Sequence, residues 1–362
     1  MLLGIRRRDD ETKKGETQMK GMRTYIRKVS LTMMSIGLSA ALAACGGGGG
    51  GSTAAGGGTS AGTTGFTRGA ITGFGSVHVG DKIFSTSGAT VKKRLDDGPD
   101  HIPGADDSVF RVGMVVEVFH KSGDNNAVEI RFKDDLEGPV SNLAAGPPVT
   151  FDVLGVHVVT DGNTNFDDSL DDHPSTGITL ATLANGNVVE VSGLFDGNGV
   201  LHATFIEAKK AAADANDKFE IKGTIAALAG TAPNQTFTVN GASFATDNNT
   251  RLHDLPAGGL ANGMFVEVKT SSTTAPFLAT DVEGTFEDPE IEAEDADEVS
   301  IEGYVAGLSG SDPNWSFTLA GVTVTTSAAT TGHALVAPNA HIEAEGPMVG
   351  GVMQARKIGL RP

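Results

Sequence analysis

One phrase occurs four times in this chain, and a repeat constrains the fold more tightly than composition does, because each copy must build the same supersecondary unit. Each copy opens on a glycine ahead of a β-branched run: RGAITGF at Arg68, EGPVSNL at Glu137, KGTIAAL at Lys222 and EGYVAGL at Glu302. An apolar alternation around a glycine follows, as SVHVGDKIFST from Ser76, FDVLGVHVVT from Phe151, FTVNGASFAT from Phe237 and FTLAGVTVTT from Phe317. Then comes an acidic residue between hydrophobes, at Glu117, Glu190, Glu267 and Glu343, spaced by 73, 77 and 76 residues. Each copy closes on a short run: AVEIRF, HATFIEA, ATDVEG and MQARKIG.

Alternation with period two is the signature of strands with one buried face. Asn240-Gly241 falls where a two-residue type I′ turn needs positive φ, and the other copies keep a glycine at that bend. The alanine-rich stretch Thr204–Asp217 reads as a strand end running into a polar linker or a short helix. Five short strands per copy, with an early hairpin and a longer variable loop, predict an all-β chain of four small, partly open, five-stranded barrels of OB type. The expected barrels span 66–135, 136–217, 218–286 and 300–362, with an acidic, self-repelling linker at 287–299 between the last two. One copy is small for a stable core, so neighbouring copies are expected to pack together or share sheet edges.

Ahead of the repeats stands the only cysteine, Cys45. Arg23, Arg27 and Lys28 precede an apolar run, Leu31 to Ala44, and the layout is that of an export signal within 1–44. Fourteen residues are too few for a membrane-spanning helix, which needs about 20. Met19 or Met22 would make a more ordinary start than Met1, whose polar lead-in has no role in export. Leu42, Ala43, Ala44 and Cys45 resemble the lipobox of bacterial lipoproteins, which implies an acylated cysteine as the mature N-terminus. Gly46 after it resembles the outer-membrane type. Residues 45–65 are then a lipidated leash rich in glycine, whose backbone entropy opposes regular structure.

Taken together, the G-x-[IV] opening, the F-x-V-x-G hairpin and the V-E-V strand behind a lipobox and polyglycine resemble a proteobacterial family of lipoproteins. That family is built from tandem copies of a small all-β domain of unknown function. The resemblance covers Gly69–Pro362, implies no catalytic residues, and weakens in copy four, where His341, Ile342 and Glu343 replace the V-E-V run.

Candidate chemistry is sparse. Asp161, Asn163, Asn165, Asp167, Ser169 and Asp172 fall at the oxygen positions of a calcium loop, but Phe166 stands where such a loop needs glycine. The match of TDNNTRL from Thr246 to TDGNTNF from Thr160 assigns Asp161 and Thr164 to a turn shared between copies instead. DDGPDHIPGADDS from Asp96 is the corresponding acidic loop in the first copy. Trp315 and Tyr304 are the candidates for stacking on a ligand. The nine histidines show no zinc spacing, and G-x-S-x-G at Gly58 lies in the leash, without the strand and helix of a nucleophile elbow. No G-K-[ST] phosphate cradle occurs. The formal charge of −18 disfavours nucleic acid as a partner. The sequence reading is therefore a non-enzymatic, lipid-anchored outer-membrane protein of the cell envelope, without cofactor, held to the membrane by its acyl chains and serving an interaction or structural role. The alternatives are an oligosaccharide-binding enzyme accessory or enzyme, and a calcium-responsive module.

Overall fold

Alternating apolar residues close each copy into a ring of five strands. The computed structural model describes residues 64–93, 107–132, 136–168, 175–284 and 296–361, and among these there are strands and two short 3-10 turns but no α-helix. Cys45, Ser169, Asp172 and the acidic segment 287–295 lie outside the described residues.

In the third copy Phe219–Thr231 pairs antiparallel with Asn234–Val239, which pairs with Ala242–Ala245. That third strand runs parallel to the fifth, Phe277–Gly284; the fifth pairs with the fourth, Phe265–Thr270, and the fourth returns to the first. The order 1-2-3-5-4-1 is a closed Greek-key barrel of OB type. The second copy repeats it with Leu136–Ala144, Thr150–Val153, Val156–Val159, Val188–Phe195 and Leu201–Lys210. In the first copy the third and fifth strands meet through the single bridge Ser85–Asn126. In the fourth the last strand is broken into Val352–Gln354 and Lys357–Leu360. The stretch from Thr204 is strand as far as Lys210, then turn.

Local chemistry explains the repeat's punctuation. Asn240 and Gly241 have φ of 47° and 85°, and the same left-handed pair recurs at Leu154-Gly155 and Ala320-Gly321. This turn folds back onto the opening glycine of its own copy. A Cβ on Gly223 would lie 2.7 Å from the Asn240 side chain, and one on Gly138 3.2 Å from Leu154. The glycine of G-x-[IV] is thus a seat for the hairpin.

Two boundaries shift from the sequence reading. Thr64 and Gly65, assigned to the leash, open the first strand, where the His120 ring packs onto Gly65. Glu298 and Val299, assigned to the acidic linker, belong to the strand Glu298–Tyr304. The alternation of buried side chains carries them in, since Val299 is core.

First strands also join barrels. Thr64–Gly73 pairs in parallel with Glu298–Tyr304, coupling barrel 1 to barrel 4. Leu136–Ala144 pairs antiparallel with Phe219–Thr231, coupling barrel 2 to barrel 3. Barrels 2 and 3 share one continuous apolar core, while barrel 1 receives Phe205 from barrel 2 into its own. Where the first strands meet, both faces of a strand are covered, as over the first five residues of Phe219–Thr231.

The central glutamates reveal this most directly, because Glu117, Glu190, Glu267 and Glu343 are all buried. A buried carboxylate needs a partner, and each finds basic or hydroxyl groups. Glu117 lies opposite Arg68 and Arg131 in the strand registers. Glu190 meets Lys209 at 3.1 Å, Glu267 meets Lys269 at 3.6 Å, and Glu343 contacts Arg361 and Ser300.

Barrels 1 and 4 are further clamped by Glu298. Its carboxylate contacts Lys82 and accepts from the Gly123 N–H at 2.8 Å and the Ser122 hydroxyl at 3.2 Å. The Lys82 hydrogen bond foremost, against some burial, holds the Glu298 carboxyl down to about 2 from an ordinary 4.5. A depressed folded pKa gives stability that is present above about 4.5 and lost as pH falls toward 2. The urea midpoint should fall across that window, and Glu298→Gln should flatten part of the slope; identical slopes would dismiss the clamp.

Candidate functional site

Barrels 1, 2 and 4 meet around a cleft of about 650 Å³. Its wall from barrel 2 is the turn that follows the third strand. Asp161 Oδ1 accepts the N–H groups of Asn163 (2.7 Å) and Thr164 (3.0 Å), and the Thr164 hydroxyl donates to the Ala203 carbonyl at 2.7 Å. Barrel 3 builds the same turn with Asp247, Asn249, Thr250 and Ala279, and barrel 4 uses Ser327, Thr330 and Ala355. The shared turn read from the sequence is the structure's arrangement.

The calcium candidates divide. Asp161, Asn163 and Asn165 line the cleft. Asp167 instead sits on the short strand Asn165–Asp167, and its carboxylate meets Arg111 of barrel 1 at 3.3 Å. Asn165 donates its amide to the Asn163 carbonyl at 3.0 Å. Extended backbone and an arginine partner replace the tight wrap of oxygens that a calcium loop requires.

The stacking candidates divide too. Trp315 packs against the core of barrel 4, away from the cleft, and its indole N–H is buried without a hydrogen-bond partner among the described residues. Tyr304 lines the cleft, but both faces of its ring are taken. His202 of barrel 2 stacks on one, with centroids 4.2 Å apart and planes at 26°, and His341 on the other, at 4.7 Å and 14°. The expectation that Tyr304 offers a ring face to a ligand is corrected on that ground; what it presents is its edge and hydroxyl.

Acidic groups surround this column. His341 Nε2 lies 2.9 Å from Glu302 Oε1, and Glu302 Oε2 accepts the Ala70 N–H of barrel 1 at 3.0 Å. His202 Nε2 lies 3.6 Å from Asp196. Burial pushes the Tyr304 hydroxyl up to about 12, and the charges of Asp161, Glu302 and Asp196 add to it. Burial opposes ionisation of Asp196, yet the N–H groups of Val200 and Asn198 and the amide of Asn339 hold it below its ordinary value.

The strand registers place each of these residues at an identifiable repeat position. Tyr304 pairs with His341 where the other barrels pair Ala70 with Val115, Pro139 with Val188 and Thr224 with Phe265. His202 stands where barrel 3 has Leu278. Asn339, with φ of 58°, takes the left-handed position that Gly113, Gly186 and Gly263 hold elsewhere, and its amide reaches Asp196 of barrel 2 at 3.2 Å. The fold is built three more times without these side chains, so folding a barrel does not require them. Departures from the repeat converge on one cleft. His202, His341 and Glu302 were missed as site residues, although the loss of the V-E-V pattern at His341 was a visible signal.

A second gathering, Asp81, Glu343 and Glu345, brings three carboxylates within 4.8 Å of one another. Lys357 pairs with Asp81 and Glu345, and Arg361 with Asp81 and Glu343, so cations of the chain itself already balance them.

No curated protein matches the chain. Residues 137–207, 222–283 and 302–359 match the family model described as a domain of unknown function (DUF5666). These matches cover barrels 2, 3 and 4, and barrel 1 repeats their strand order outside them. With more than half its length in three tandem copies of that domain, the chain belongs to the DUF5666 family.

Proposed function

We propose that this chain is a lipid-anchored, non-enzymatic binding protein of the bacterial cell envelope, and that its ligand enters the cleft between barrels 1, 2 and 4. The observation that carries the binding role is the convergence of Tyr304, His341 and His202, each a departure from the repeat, on one concave site. The lipobox at Leu42–Cys45 and the glycine run behind it support the anchor. Two acyl chains or more give a lasting tether where one holds only marginally.

Two experiments test the halves separately. Cells fed an alkyne analogue of palmitate should label the wild-type chain and not Cys45→Ser, which should also leave the membrane fraction. Label retained by Cys45→Ser would remove the anchor. For the binding role, the column is reverted to the residues of the sister barrels, His202→Leu, Tyr304→Thr and His341→Val. The small-molecule fraction of an envelope extract should raise the Tm of the wild type and not that of the triple variant. No rise in the wild type would count against the cleft as a binding site.

A further inference from the structure

We infer that the cleft takes a neutral, polyhydroxylated ligand, a short oligosaccharide. This inference rests on the cleft being a binding site, and it follows from which charges there are already committed. Arg361 is engaged by Glu343 and Asp81, so it offers little to an anion. Glu302 is held by the Ala70 N–H and His341, and Asp161 Oδ1 by the Asn163 and Thr164 N–H groups of its own turn. A strongly charged ligand would be desolvated against groups that are already paired, which is costly in either sign.

What the cleft presents instead is a set of neutral hydroxyls and amides. Asn163, exposed on its turn, and Tyr304 line it, together with Thr72, Thr204 and Asn165. The Thr72 and Thr204 hydroxyls donate to the His78 and Ser192 carbonyls and are left to accept, and the Asn165 amide donates to the Asn163 carbonyl. Hydroxyls and amides both donate and accept, as the vicinal hydroxyls of a sugar require. Alongside lies an apolar hollow of about 590 Å³ that shares the wall Val159–Gly162 and is lined by Pro147, Pro148, Val149 and Leu180. A ligand that spans both needs a polar edge and an apolar face on the same ring. A pyranose has both: its hydroxyls project outward and its C–H groups form a flat apolar face.

The test titrates the full chain by calorimetry with maltotetraose, cellotetraose and chitotetraose up to millimolar concentration. At least one should bind. Asn163→Ala and the triple reversion should each weaken that binding tenfold or more. In the absence of sugar Asn163→Ala should hold Tm within a degree or so, while the triple reversion, which takes His341 from the buried Glu302, should lower Tm yet still unfold in one cooperative transition. Asn249→Ala, the same turn position in barrel 3, should leave binding unchanged. No heat with any of the three sugars overturns the proposal, as does binding that Asn163→Ala and the triple reversion leave intact. Binding of oligolysine in place of the sugars also overturns it, by making the ligand cationic. In each of these cases the envelope-extract experiment tells the two failures apart. A Tm rise there that the triple reversion abolishes retains the cleft as a binding site for another ligand class, whereas no rise removes the site itself.

Discussion

Replacing Lys209 by methionine should destabilise the chain by about 3–5 kcal/mol, the usual cost of breaking a buried ion pair from one side. Lys209 and Glu190 lie 3.1 Å apart, with side chains only 4% and 6% exposed. Removing the cation leaves a carboxylate where barrel packing keeps water out, on a strand whose register neighbours Glu137 and Glu207 are also acidic. The desolvation penalty of Glu190 stays, and much of its compensation goes. The companion Glu190→Leu/Lys209→Met removes both charges and should recover most of the loss, because an apolar pair of similar volume avoids that penalty. Urea unfolding of the two single variants and the double gives the coupling directly. A Lys209→Met variant within about 1 kcal/mol of wild type would mean that water reaches the pair.

Phe205→Ala carries the second large effect, about 3–5 kcal/mol from lost burial and the cavity left behind. Its interest lies in where the damage appears. Phe205 is on the last strand of barrel 2, yet its ring belongs to the core of barrel 1, with Phe110, Met114 and Val116. Hydrogen exchange should therefore accelerate first in Val115–Lys121 of barrel 1. Phe244→Ala, inside barrel 3, should cost a similar amount and spare that strand. If Phe205→Ala loosened only barrel 2, the barrels would not share side chains in solution.

These two residues mark the limit of what could be read in advance. Period-two alternation exposed the strands, and Asn240-Gly241 exposed the turn, because both depend on neighbours a few residues away. The Asp161–Thr164 turn was legible because barrel 3 repeats it. By contrast, V-E-V looks like a strand with a wetted acidic face, yet Glu190 is buried on a strand whose two faces are both covered from Val188 to Leu194. Such packing pairs residues far apart in sequence and leaves no period. Tyr304 shows the same limit. Its rarity drew attention to it, but His202, 102 positions away, decides which part of its ring is open.

The coupling of first strands also sets an order in time. Barrels 2 and 3 are neighbours along the chain and can pair as soon as both have emerged. Barrel 1 is made earliest, yet its partner strand, Glu298–Tyr304, arrives after both intervening barrels. Contacts closed across so much chain are slow to form, since the loop's entropy must be overcome before they return any stability. During synthesis the oldest barrel would wait longest with its sheet edge unsatisfied, and a chain truncated before residue 298 would keep that edge open for good.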